Sequence, residues 1–122
     1  MADRIKLPHD HGNNMEALLE RIPDEDAFKN VSDTFSLISD ATRLKILWLL
    51  CHSEDCVVNI AAAVGMSSPA VSHHLRLLKQ SGLIVSRKDG KEVYYTLADT
   101  EEATLVHKVV DDAFDMDCFK DK

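Results

Sequence analysis

The triplet His9-Asp10-His11 sets two imidazoles around a carboxylate, a combination that can chelate a metal ion or stand idle in a tail. Three cysteines, Cys51, Cys56 and Cys118, are an odd count and do not make a disulfide framework. Reduced thiols are the default, with metal or redox chemistry as the special cases. A Cys51–Cys56 or tail disulfide would make a redox sensor, whereas the plainer reading puts Cys51 in the core. A different chemistry gathers further along. Ser67, Ser68, Ala70, Ser72, His73 and Arg76 share one segment, and Arg87, Lys88 and Lys91 share the next. Hydroxyls, small side chains and cations so arranged suit phosphate oxygens and base edges. His107 and Asp111 stand at i and i+4, as a pair or as a surface contact, and His52 is placed to cap a helix C-terminus. No motif joins a nucleophile to a base, forms a phosphate loop or sets paired carboxylates in a pocket, so the chain reads as a non-enzyme.

Periodicity and punctuation define the elements that must hold these groups. Residues 1–14, with Pro8, Gly12, Asn13 and Asn14, read as a mobile, His-containing tail, and 15–122 as a single domain. Met15 to Ile22 has helical spacing and stops near Pro23; Asp26 to Ile38 repeats it with Phe28, Val31, Phe35 and Ile38. Asp40 caps a helix from Thr42 to His52 that is apolar nearly all round, the central core helix. The next helix starts at Cys56 or Val57, runs to Val64 and ends at Gly65. Ser68 is expected to cap the one after it, with Pro69 at its first position and its end near Gln80. Val71, Leu75 and Leu78 form its inward face. Leu83–Arg87 and Glu92–Leu97 are β-prone runs around Lys88-Asp89-Gly90-Lys91, where the Asp-Gly pair signals a hairpin. Thr100 to Phe114 closes the chain as a helix.

Helix, a tight Gly65-Met66-Ser67-Ser68 turn, second helix and β-hairpin is the order of a winged helix-turn-helix, a mainly α fold with a hairpin wing. Its second helix works by lying in the DNA major groove; the competing use of the same fold is protein contact. At 122 residues one domain is expected. The longest apolar run is far below the roughly 20 residues of a membrane span. MADRIKLPHDH lacks the apolar core of a signal peptide, so a cytoplasmic location is expected. A net charge of −7 argues against nucleic acid until it is divided. Residues 1–40 carry 4 basic and 9 acidic side chains, 41–98 carry 7 and 4, and 99–122 carry 3 and 8. The positive segment coincides with the reading helix and wing.

The run EDCVVNIAAAVGMSSPAVSHHLRLLKQSGLIVSRKDGKEVYYTL, with FSLISDATRLKILWLL before it, resembles the ArsR/SmtB family of bacterial winged-helix repressors over roughly residues 31–97. The stretches SDATRLKIL, AVSHHLRLLKQSGL and GKEVYYTL carry the likeness jointly. The resemblance implies a homodimer through N- and C-terminal helices, operator DNA as partner, and release by an inducer, usually a metal ion. No membrane and no small-molecule substrate are expected among the chain's partners. One family site has a Glu-Leu-Cys-Val-Cys-Asp-type box, here Glu54-Asp55-Cys56-Val57-Val58-Asn59. Cys56 matches the first cysteine, Val58 replaces the second, and His9 and His11, with Asp10, stand for the tail ligands. Such a set suits Zn²⁺ first, or Cd²⁺ or Cu(I), and needs a fourth ligand. The family's C-terminal-helix site maps to Asp99, Glu101, Asp112 and Asp115, where carboxylates replace both histidines and would favour Mn²⁺. The alternative is a metal-independent or thiol- and redox-sensing regulator of the same fold.

Overall fold

A computed structural model describes residues 6–115 of the chain, so Cys118 lies outside the described residues. Those residues fall into two units, one ending at Asn30 and one beginning at Val31. In the first, α1 (Met15–Leu19) buries none of its residues. It is shorter than the expected 15–22, because an isolated turn of helix is costly to nucleate and Pro23 biases Ile22 toward extended backbone. α2 (Glu25–Ile38) opens with Glu25 and Asp26 in its first turn, where carboxylates favour the positive end of the helix dipole. Asp24 accepts the Ala27 N–H at 2.8 Å there. The helix continues into the second unit, where Thr34 and Ile38 are buried.

The second unit is built around α3 (Ala41–His52), whose Ile46, Leu47 and Leu50 are fully enclosed. The Asp40 carboxylate caps it, accepting from the Arg43 N–H at 3.0 Å, as the sequence predicts. α4 (Val57–Val64) packs on α3 and α5. It ends at Gly65, which takes φ 72° while its N–H and that of Met66 close onto the carbonyls of Ala62 and Ala61. A Cβ at Gly65 would meet nothing, so the positive φ alone favours glycine there.

α5 (Ser68–Gln80) follows after three residues. Its cap is Ser67, one residue earlier than expected, with the Ser67 hydroxyl accepting from the Ala70 N–H at 3.3 Å. Pro69 therefore occupies the second helical position, where its missing N–H still costs no helical bond. α5 buries Val71, Leu75 and Leu78, which join Ile60, Leu83, Ile84, Val106 and Val110 in one core.

β2 (Ile84–Asp89) and β3 (Glu92–Leu97) form the antiparallel wing, with Asp89 opposite Glu92. The two-residue loop is Gly90-Lys91, with Gly90 at φ 64°, and not the Asp-Gly pair itself. A right-handed strand twist favours positive φ at the first loop position, and Gly90 supplies it. A third strand went unread in the sequence: β1 (Asp55–Cys56) pairs with Tyr95 and Tyr94 on the free edge of β3. Two residues are too few to show an alternating pattern. α6 (Glu101–Ala113) is capped by Thr100, which accepts the Ala103 N–H at 3.1 Å and donates to the Gly82 carbonyl at 2.8 Å. Among the described residues no helix is long and apolar enough to cross a membrane.

Candidate functional site

α5 is amphipathic by design of its spacing. Val71, Leu75 and Leu78 recur at i, i+4 and i+7 and are at most 1% exposed, so the opposite side of the helix must face outward. His73 and Arg76 are exposed on that side, and Ser67 is exposed at the helix start. Ser68, Ala70 and Ser72 are half-buried beside them. The outward surface thus begins with the helix N-terminus and small side chains, which allow close approach, and continues into an imidazole and a guanidinium. It can meet phosphate through the dipole and hydroxyls, and base acceptors through Arg76.

The wing stands beside it. Lys79, near the end of α5, donates to the Ser86 hydroxyl of β2 at 2.7 Å and links helix to sheet. Lys88 and Lys91 are exposed on either side of the loop glycine. Arg87, grouped with them in the sequence, has another engagement. Its Nε lies 3.0 Å from both Glu54 carboxylate oxygens and a terminal nitrogen 2.7 Å from one. Its guanidinium also lies 4.9 Å from the Tyr94 ring centre. The hydrogen bond from Arg87 holds the Glu54 carboxyl below the usual carboxylate range, and the same bond raises Arg87. Lysines at the tip are therefore the open cations of the wing, while Arg87 braces its base. Glu54 lies 33 residues away in sequence, so no local pattern announces this pair.

The metal-ligand candidates divide by place. Cys56 is the half-buried residue preceding α4, and Asp55 accepts the Cys56 N–H and the Asn59 amide, each at 2.8 Å. The bond from the Cys56 backbone N–H, then that from the Asn59 side-chain amide, holds the Asp55 carboxyl low. The box thus orders the entry to α4 and offers one thiol donor. In the first unit His9 and His11 are exposed and stack with ring centres 5.8 Å apart, two nitrogen donors on a short tail. This donor chemistry fits a borderline or soft ion.

Asp99, Glu101, Asp112 and Asp115 are all exposed. Glu101 and Asp112 sit at opposite ends of α6, roughly 16 Å apart at 1.5 Å rise per residue. One chain cannot close these four carboxylates on one ion; that needs a second copy. Among the described residues, the cluster of three His, Cys, Asp or Glu side chains compact enough to share an ion lies elsewhere, at His52, His107 and Asp111. Cys51 packs half-buried against the core, as its position in an apolar helix suggests.

Comparison with known proteins adds four likenesses. Residues 40–86 match the family described as bacterial regulatory protein, arsR family. The chain is 44% identical over 80 residues to the cadmium resistance transcriptional regulatory protein CadC homolog of Staphylococcus aureus, covering 65% of this chain and 66% of that protein. It thus spans a little under two thirds of that relative. It is 41% identical over 81 residues to the arsenical resistance operon repressor of Escherichia coli K12, covering 66% of this chain and 68% of the repressor. A solved neighbour is the homodimeric winged helix-turn-helix DNA-binding domain of a possible ArsR-family transcriptional regulator from Mycobacterium bovis. It superposes with TM-score 0.61 at 30% identity over 86% of this chain and 88% of that one.

Proposed function

The chain belongs to the arsR family of bacterial regulatory proteins, and on that premise we propose that it is a DNA-binding transcriptional repressor, working as a homodimer in the cytoplasm and leaving its operator when a metal ion binds. The observation that carries this reading is the outward side of α5, where Ser67, His73 and Arg76 face away from a fully buried Val71–Leu75–Leu78 stripe. Ser67, Ser68, Ala70 and Ser72 bring the helix N-terminus close to the phosphates, and His73 and Arg76 reach base edges. Lys88 and Lys91 reach a flanking phosphate. Arg87 acts on DNA only through the wing it braces.

Dimerisation is supported by apolar side chains left open on the flanking helices. Val31 and Phe35 of α2 are 46% and 45% exposed, and Phe114 after α6 is 50% exposed. A second copy covers such surface and sets two α5 helices on a two-fold-related DNA site. The Mycobacterium bovis neighbour is itself homodimeric.

The metal response rests on donor chemistry and on relatives named for cadmium and arsenical resistance. Cys56 of one chain with His9 and His11, and Asp10 beside them, from the tail of the other chain forms the tail site, which needs a fourth ligand and is suited to Zn²⁺ and, among softer ions, Cd²⁺ or Cu(I). Asp99 and Glu101 of one chain with Asp112 and Asp115 of the other form an alternative, harder site suited to Mn²⁺. Either couples to DNA by linkage, so operator DNA lowers ion affinity by the factor by which the ion lowers DNA affinity. The test is a mobility-shift titration of the full chain on its own promoter DNA without added metal and with Zn²⁺, Cd²⁺ or Mn²⁺ in turn. The expected result is a sequence-selective complex weakened about 5- to 150-fold by the ion, the range of ~1–3 kcal/mol of coupling. Absence of a complex overturns the DNA reading; a complex indifferent to Zn²⁺, Cd²⁺ and Mn²⁺ overturns the metal response.

A further inference from the structure

Where α3 and α6 pack together, two histidines and a carboxylate converge, and we propose that His52, His107 and Asp111 form a single-chain binding site for a borderline divalent cation of the Zn²⁺ type. One ligand atom from each lies within 4.8 Å of the others. His52 Nε2 is 3.8 Å from one Asp111 oxygen, and His107 Nε2 is 3.5 Å from the other. Two donors bound tetrahedrally to zinc at ~2.0–2.1 Å sit about 3.3 Å apart, so small side-chain rotations bring the set onto one ion.

The state of the donors points the same way. The Trp48 carbonyl lies 2.6 Å from His52 Nδ1, and a carbonyl only accepts, so Nδ1 carries the proton. In the neutral ring this leaves the Nε2 lone pair directed at Asp111, the outer-sphere arrangement that orients metal-binding histidines. Asp111 is 3% exposed, yet among the described residues neither carboxylate oxygen accepts a hydrogen bond. A buried carboxylate so poorly served is costly, and a cation shared with two imidazoles relieves it. The i, i+4 spacing of His107 and Asp111 puts both on one side of α6, and His52 is the last residue of α3, at the solvent edge.

The donor set also selects the ion. Two nitrogens and one oxygen suit Zn²⁺, Co²⁺ or Ni²⁺ and lack the thiolate that Cd²⁺ or Cu(I) prefers. In this it differs from the site drawn around Cys56. It also needs no second chain and no DNA, so it stands or falls independently of the proposed repressor function.

The chain's one tryptophan supplies the reporter, because the Trp48 ring lies 4.9 Å from the His52 ring. The experiment titrates Co²⁺ into the full chain, following Trp48 fluorescence and cobalt absorption, with Zn²⁺ in competition. Wild type is expected to bind one ion per chain at this site with quenching of Trp48 that Zn²⁺ reverses. His52→Gln/His107→Gln should weaken that quenching titration at least tenfold, while His9→Ala/His11→Ala/Cys56→Ser leaves it unchanged. Circular dichroism checks folding. If the double variant does not fold, His52→Gln alone must weaken binding at least fivefold. Absence of quenching in the wild type, an unchanged titration in the histidine variants, or loss confined to the tail-and-cysteine variant overturns the proposal.

Discussion

The two polar regions of this fold treat their charges in opposite ways. On α5 and the wing, the groups suited to chemistry face outward from a core that is complete without them: Leu75 is 1% exposed, and its neighbour Arg76 is exposed. At the α3–α6 contact, the chemistry is folded inward, with Asp111 buried beside Val110 and Val106. The difference separates a surface suited to meeting a partner from a seam suited to holding an ion. Substitution of an outward side chain that neither caps a helix nor pairs within the fold should change binding without changing stability; substitutions in the second region should change ion binding, and stability only when an ion is present.

The sharpest contrast is between neighbours on α5. Leu75→Ala should lower stability by about 2–5 kcal/mol in denaturant unfolding, through lost contacts and a residual cavity. Arg76→Ala should leave stability within about 0.5 kcal/mol. Equal losses at the two positions would break the division between inner and outer sides of the helix. At the seam, Zn²⁺ at a hundred times its dissociation constant should stabilise wild type by about 2.7 kcal/mol and give Asp111→Asn no comparable gain. Without ion the same variant should be no less stable than wild type, because a neutral amide replaces a buried charge. Thermal scans in chelator and in Zn²⁺ read both.

Smaller effects refine the outward region. Ser67→Ala should cost about 1 kcal/mol by freeing the Ala70 N–H, measurable by chemical denaturation. Lys88→Ala and Lys91→Ala should each reduce the slope of log affinity against log salt by about one, uniformly across sequences. Arg87→Ala should reduce it by less, because its guanidinium is held by Glu54. The pH dependence follows from the lowered Glu54. Its pairing adds stability above the ordinary glutamate range, and that contribution disappears as pH falls through the lowered folded value. The stability gap between wild type and Arg87→Ala should therefore be constant above about pH 5 and close on further acidification.

Most of the architecture was readable because local rules agreed with the global packing. The apolar α3, the glycine stop at Gly65 and the Val71–Leu75–Leu78 stripe each satisfy their own segment and the shared core at once. The differences were local ones: a cap at Ser67 in place of Ser68, and a first wing strand that runs on through Lys88 and Asp89, leaving two loop residues where four separate the expected runs. The first follows from two equally suitable neighbours, Ser67 and Ser68; the second from ladder pairing that carries polar Lys88 and Asp89 into the strand opposite Val93 and Glu92. What depended on distant residues was not legible. β1 exists because the edge of β3 recruits two residues nearly forty positions earlier, and the Arg87–Glu54 pair crosses a similar interval. His107 and Asp111 showed their helical spacing, but only the folding of α6 against α3 brings in His52 and buries the carboxylate.

The outward face of α5 is tested most directly by fluorescence anisotropy of wild type and Arg76→Ala on promoter DNA and on mixed-sequence DNA at one fixed salt concentration. A reading helix predicts that wild type prefers the promoter by at least about a thousandfold, and that the variant loses about 1–3 kcal/mol of that preference. Equal affinity of wild type for both DNAs, or an undiminished preference in Arg76→Ala, would contradict it.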